Sequence, residues 1–597
     1  MSASGPGAAA VAHAEQDYAP IGAPALSSRP RWPWATGAHL VTLAGALAFW
    51  AWLDRGLWFF GDEWEFLVNR GLAYAPSSRH SIWFPHNEHW SALPVLLWRI
   101  LFNLWHLGSY WPYLVPVLLA HVGIMHLLWR LSLRNGAGPW ISTVAVGLLG
   151  FLGAGAEDLA WAFQIGFVGS VLFGLLAFEF LDLPAPGAAR QYCASVALLA
   201  ALMCSTIGDS MLVGAAFLAF ARLPARRASI VIGPPLAAYL LWFATIGRLG
   251  LAEHSDRFPL STFTGVPAYV WTGLSSALGQ VFNLSTAGPA ILVGLAAWVG
   301  WHLRELWSGN PALVSAAVAV VAFYVLAALG RDVSTTSPTV SRYIYIAFAL
   351  LLPLVAKLLS SLGPWPAARA GAAVLLAFTA LGNVDQAQSW TGARQLLTSQ
   401  VKTEVAATRE LLMAGARDVS GTGAAPVAYS PNLSVAALLR LARADQLPAM
   451  AATAQQRLNA RAVLAVGAWN GLDMTLTKYP LSSGHFRFIK EEGARESPGR
   501  PGCLTFSPLA ASLPVEIWLG FTVGGRSAAV ELSAPAAPPD KDDYVGVQLV
   551  SVAPPAFSAP VELTVPARGA GYLDDNFNGA DLVLTWDDAT VLTACGL

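Results

Sequence analysis

The sequence predicts a polytopic α-helical membrane protein with a polar C-terminal region of α/β and β-sandwich character, and three observations carry that prediction. Apolar residues make up 55% of the 597, while charged residues make up only 12%, a balance foreign to soluble globular domains. Runs approaching the roughly 20 apolar residues that cross a bilayer as a helix recur as far as about residue 384. Beyond that point, short alternating runs separated by Pro, Gly and Asp take their place. A formal net charge of −1 argues for no nucleic acid and no polyanionic partner. The partner that composition implies is the lipid bilayer.

Residues 1–34, rich in Ala, Gly, Pro and Ser, read as a disordered cytoplasmic tail. The apolar run 36–53 is too long and too late for a cleaved signal peptide, so it is expected to be an uncleaved first span. Further spans are expected near 112–130, 140–155, 165–181, 192–206, 209–222, 229–246, 288–303, 312–329, 343–360 and 368–384, about eleven in all. Ser205 to Asp209 is read as the hairpin that divides one long apolar stretch into two short spans. Segment 91–107 carries Arg99, Asn103 and His106 on one helical face and is expected to lie in the membrane interface rather than cross it.

Basic residues set the expected orientation. Arg29 and Arg31 share alternate loops with Arg130, Arg134, Arg190, Arg222, Arg226, Arg227, Arg304, Lys357 and Arg369, which makes that side cytoplasmic. The other loops hold most of the acids, and an odd number of spans places everything after about 385 outside. There, 385–510 reads as an α/β region and 511–597 as a β-sandwich. Cys193 and Cys204 lie in apolar sequence and read as packing residues. Cys503 and Cys595 bracket the β region and are expected to form a disulfide outside the cytoplasm.

Chemistry concentrates just past the first span. Gly61-Asp62-Glu63-Trp64-Glu65-Phe66 and Phe84-Pro85-His86-Asn87-Glu88-His89-Trp90 crowd acids, imidazoles and indoles together in a chain poor in charge. Carboxylates held beside a membrane mark a functional site by default. Asp62 or Glu63 can serve as a general base, with His86, Glu88 and His89 binding hydroxyls or positioning it. The His/Glu/His set also suits a divalent metal, although nothing in the sequence decides for one. Glu157, Asp158, Trp161 and Gln164 open the fourth span, and Glu157, Trp161 and Gln164 are expected on one helical face. There they would offer an apolar plane and hydroxyl partners to a sugar. Arg331, Arg342, Tyr343 and Tyr345 bracket a late external loop, where guanidinium suits phosphate.

This constellation resembles the GT-C superfamily of membrane glycosyltransferases. The shared features are Gly61-Asp62-Glu63 in the first external loop, an interfacial helix after it, Glu157-Asp158 in the second loop, Ser341-Arg342-Tyr343 late in the membrane domain, and an extracytoplasmic C-terminal domain. The resemblance covers about residues 36–384 by topology. It implies a plasma-membrane enzyme that moves a sugar from a polyprenyl-phosphate donor to a cell-envelope glycan or glycoconjugate acceptor, with inversion. The first-loop base would be Asp62, with Glu63 the second choice. The broad analogy is to actinobacterial arabinosyl- and mannosyltransferases that append a carbohydrate-binding-like β domain. The rival reading is a lipid-linked-sugar flippase or another transporter, favoured by Asp209 in its short hairpin. A mere anchor for a sugar-binding domain would not need about eleven spans.

Overall fold

The computed structural model describes residues 33–596, with breaks at 72–77, 252–259, 331–336, 362–365, 415–426, 469–485 and 534–542 and shorter breaks elsewhere between 428 and 590. The expected tail at 1–34 therefore lies almost wholly outside the described residues, as does Arg331.

Helices dominate as far as residue 413. They are α1 (Pro33–Leu53), α2 (Ala92–Trp105), α3 (Trp111–Arg134), α4 (Pro139–Gly150), α5 (Ala156–Leu159), α6 (Ile165–Leu181), α7 (Ala188–Leu202), α8 (Ile207–Arg222) and α9 (Ala225–Trp242). There follow α10 (Arg248–Leu251), α11 (Leu260–Val281), α12 (Gly288–Gly309), α13 (Pro311–Gly330), α14 (Ser341–Ser361) and α15 (Pro366–Met413). Among the described residues, seven helices are long and apolar enough to cross a membrane, or eight if the bent pair α4 and 153–159 counts as one. In hydrocarbon a helix satisfies its backbone groups internally, which is why such runs fold this way. The other expected spans fall on α7 and α8, of 15 and 16 residues, and on the first part of the 48-residue α15.

Two local expectations need correction. The stretch between 246 and 288 is not a plain loop, because it contains the 22-residue α11, whose apolar residues are interleaved with Ser, Thr and Gly. Nor do Glu157, Trp161 and Gln164 share a helical face. The chain makes only the four-residue α5, breaks at Ala160 and Trp161, and enters a short 3-10 turn, Ala162–Gln164, before α6. The Ala162 amide just past the break donates to the Tyr110 hydroxyl at 2.8 Å, a tertiary partner. A Cβ on Gly153 would stand 1.9 Å from the carbonyl oxygen of Asn383, so α15 presses directly on this segment. Asn383 fastens the contact by accepting from the Ala154 amide (3.3 Å) and donating to the Val281 carbonyl (2.8 Å).

The two ends of the bundle differ. At one end Arg130 and Arg134 both reach Glu179, Arg222 pairs with Asp182 at 2.8 Å, and Ser360 on α14 meets the Gly138 amide at 2.9 Å. At the other end lie the loops after α1 and α5. Here α15 continues past its first turns to cover the loop after α1, with Gln395 donating to the carbonyls of Leu53 (2.7 Å) and Arg55 (2.8 Å). Helix α16 (Val435–Arg443) also rests there, where Arg440 donates to the Val68 carbonyl at 3.3 Å. The loop after α1, the later part of α15 and α16 thus share one end.

After α17 (Ala454–Ala465) the chain forms two antiparallel sheets. One orders its strands Val466–Ala468, Gly571–Asp575, Ala528–Ser533, Leu592–Gly596, Cys503–Pro508 and Ala494–Pro498. The other runs Phe486–Glu492, Val515–Phe521, Ala580–Trp586, Asp543–Val552 and Pro555–Phe557, with Val561–Val565 also on Asp543–Val552. The expected alternation holds: Val515, Ile517 and Leu519 are buried while Glu516 and Trp518 between them are half-buried. Cys595 stands directly opposite Cys503 in the register.

Candidate functional site

The site is built on the turn that leaves α1. Gly61 adopts φ +61°, a left-handed conformation that disfavours side chains, and a Cβ there would also meet Trp161 at 3.5 Å. This sharp turn sends the adjacent side chains of Asp62 and Glu63 into different surroundings.

Glu63 is fully buried. Its Oε2 accepts from the Phe60 amide (2.9 Å) and its Oε1 from the Tyr110 hydroxyl (2.6 Å). Tyr110 in turn accepts from the Ala162 amide at 2.8 Å, so this chain of bonds ties the first loop to the broken segment before α6. Burial pushes the Glu63 pKa up to about 8, against the lowering from Tyr110 and the backbone amides. Glu63 is therefore largely a neutral acid at pH 7, and its bonds hold the first loop to the segment before α6.

Asp62 is 44% exposed and behaves in the opposite way. The His86 imidazole holds its carboxyl below the usual carboxylate range, partial burial opposes this, and Arg342 assists from further away. His86 Nε2 stands 3.9 Å from Asp62 Oδ2, beyond hydrogen-bond length, and is buried without a hydrogen-bond partner. Phe66 and Phe163 hold the ring in place at centroid distances of 5.5 and 5.2 Å. An ionised, accessible carboxylate facing an unsatisfied imidazole nitrogen can take a proton from an incoming hydroxyl.

The cationic side comes from two helices. Arg342, at the start of α14, donates to Glu157 Oε1 at 2.8 Å, and its Nε is buried without a partner. Arg394 on α15 lies over the rings of Phe60 (4.4 Å) and Trp390 (4.6 Å). Partial burial lowers its pKa, while Glu157, Tyr110 and Glu63 oppose the shift. Trp161 is buried against Phe60 (5.1 Å) and Phe163 (5.2 Å), and its indole nitrogen lacks a hydrogen-bond partner. Gln164 Oε1 and both carboxyl oxygens of Asp158 are likewise buried and unpartnered. Buried polar groups in folded proteins are almost always satisfied, so these orphans are candidates for contact with a ligand.

Other expected residues point elsewhere. Tyr345 is buried and meets His121 Nδ1 on α3 at 2.8 Å, away from Asp62. Tyr343 packs edge-on against Phe323 at 5.1 Å. Glu88 and His89 face α8, with His89 Nδ1 2.8 Å from the Thr206 hydroxyl. Among the described residues, no three or more His, Cys, Asp and Glu side chains converge as metal ligands.

Sequence reasoning missed three contributors. Tyr110 was hidden in the break before α3. Arg394 lies in the stretch 385–510, which the sequence presents only as an α/β region and does not tie to the first loop. Arg70 is 5% exposed and binds Glu65 Oε1 (2.9 Å) and the carbonyls of Ser81 (3.2 Å), Phe84 (2.8 Å) and Pro85 (2.9 Å), pinning the two loops together. Its signal was only a lone arginine in a polar stretch. No protein-family model matches the chain, and no curated protein matches it by sequence.

Proposed function

We propose that this chain is a GT-C-like membrane glycosyltransferase with Asp62 as general base. The observation that carries the reading is the division of labour between two adjacent carboxyls: Glu63 buried and protonated, Asp62 accessible and ionised beside His86 and Arg342. In the proposed reaction an acceptor hydroxyl loses its proton to Asp62 while its oxygen bonds to the anomeric carbon. The bond from that carbon to phosphate oxygen breaks, and the polyprenyl phosphate leaves with the electron pair. Arg342 and Arg394 stand where cationic groups would steady that leaving charge. Attack opposite the departing phosphate inverts the anomeric centre. Orphaned Gln164 and Trp161 supply hydrogen-bonding groups for the donor sugar.

The proposed membrane arrangement keeps about eleven crossings and a plasma-membrane location, with the site and the region after 385 outside. Leaving α11 out of the count is part of this proposal. Tyr269, midway along it, lies 6.4 Å from Tyr324 in α13, and Val281 at its end accepts from Asn383, which also holds the Ala154 amide at the site end. The cluster of Arg130, Arg134 and Arg222 at the opposite end agrees with a cytoplasmic assignment for that end.

The test is transfer from polyprenyl-phosphate sugars by the full chain in proteoliposomes. Asp62→Asn is expected to lower the rate by at least the roughly 10²–10⁴-fold typical of general-base removal, with expression and insertion unchanged. Near-full transfer by Asp62→Asn would remove the base assignment.

A further inference from the structure

A cavity of about 240 Å³ opens between the loop 86–89 and helices α8, α9 and α13. Its polar wall includes Glu88, His89, Thr206, Asp209 and Tyr239, and the rest includes rings, among them Phe167 and Phe323, and aliphatic residues of α13. Among the described residues, neither Lys nor Arg lines it. Asp209 Oδ2 accepts from the Tyr239 hydroxyl at 2.9 Å. The Thr206 amide donates to His89 Nδ1 at 3.3 Å, so that nitrogen is an acceptor and the neutral ring carries its proton on Nε2. Nε2 lies 3.5 Å from Glu88 Oε1.

A single turn joins this cavity to the base. His86 and His89 exchange two backbone hydrogen bonds, of 3.0 and 2.9 Å, with Asn87 at φ 52° between them. The turn thereby sends His86 towards Asp62 and His89 towards Thr206.

We propose that this cavity is the subsite for one uncharged sugar ring of the acceptor, held through Glu88, His89, Asp209 and Tyr239. The inference rests on the reading of Asp62 as a transferase base. Carboxyl, imidazole and phenol groups match ring hydroxyls, and flat aromatic faces suit the apolar face of a sugar. Among the described residues the lining is acidic and holds no cation, which disfavours the anionic donor phosphate and separates this subsite from the Arg342 side. The volume falls below the roughly 300–1,000 Å³ of sites for larger ligands, as expected for a single ring.

Saturation-transfer NMR on the full chain in nanodiscs tests this, with a panel of neutral methyl hexopyranosides and pentofuranosides. Farnesyl phosphate serves as the anionic control. At least one glycoside is expected to bind. Asp209→Asn combined with Tyr239→Phe should weaken it by about ten- to a hundredfold, the size of losing hydrogen bonds to a charged group. Ile207→Phe should weaken it too by filling the cavity without removing a polar group, and retained farnesyl phosphate binding shows that each variant is folded. No binding by any glycoside, equal binding in all variants, or parallel loss of farnesyl phosphate from correctly inserted variants would overturn the subsite. If Asp62→Asn abolishes transfer but the cavity variants bind glycoside normally, the subsite fails and the transferase reading stands. If the cavity variants lose glycoside but Asp62→Asn still transfers, the transferase base fails and a sugar-binding cavity remains.

Discussion

Replacing Glu63 by Gln isolates the buried carboxyl from the exposed one. In the wild type the folded pKa is raised to about 8 from an unfolded value near 4.5. The folded state therefore holds a proton that the unfolded chain releases as pH rises past about 4.5, so folding weakens with pH through that window and levels off above about 8. At about 1.4 kcal/mol per pH unit, the loss approaches about 5 kcal/mol across the window. Gln cannot ionise, so its contribution is flat. It keeps the bond from Tyr110 but sets an amide NH₂ against the Phe60 N–H or flips to lose the other partner, a cost of about 1–3 kcal/mol. The wild type should therefore be the more stable of the two at pH 4, and the order should reverse by pH 8. Thermal unfolding of both proteins in the same nanodiscs, taken as a difference at each pH, cancels every other titration. Parallel curves from pH 4 to 8 would show that Glu63 is ionised when folded and would refute the assignment of separate roles to the two acids.

The remaining predictions concern the rest of the site and the C-terminal sheets. His86→Ala should raise the Asp62 pKa, because His86 is the main influence lowering it. The acid limb of the transfer rate, which falls as Asp62 becomes protonated, should then move to higher pH, whereas an unmoved limb would mean that His86 does not act on the base. Cys503 and Cys595 should form a disulfide, since directly opposed residues on antiparallel strands have Cα atoms roughly 4.5–5.5 Å apart, within bridging range. Non-reducing peptide mapping from an oxidising host should find them linked, stabilising the sheets by about 4–5 kcal/mol in the chain-entropy model. Free thiols at both positions would contradict this.

What was legible in the sequence depended on whether local pattern or distant packing decided the outcome. The long apolar helices could be read directly because a bilayer leaves the backbone no other choice. Strands such as Val515–Phe521 could be read because alternation sets their faces. Helix α11 escaped because Ser, Thr, Gly and Pro dilute its apolar residues. The stretch from Glu157 to Gln164 has helical spacing and yet is broken, and its Ala162 amide bonds to the Tyr110 hydroxyl, a tertiary contact that no local pattern records. Asp62 and Glu63 stood out as a pair, but only the fold separates them, by burying one side chain against Tyr110. Arg394 reaches the first loop from far along the chain, and linear sequence gives no sign of that meeting.

The most direct measurement of the central claim is a cryo-EM map of the full chain in nanodiscs with a non-hydrolysable polyprenyl-phosphate sugar. The account predicts phosphate within about 3 Å of the guanidinium groups of Arg342 and Arg394. Asp62 should stand across the anomeric carbon from that phosphate, with its carboxylate facing the line of attack. Phosphate density away from both arginines, or a donor sugar that leaves Asp62 facing bulk water, would contradict the assignment of this loop as the transferase site.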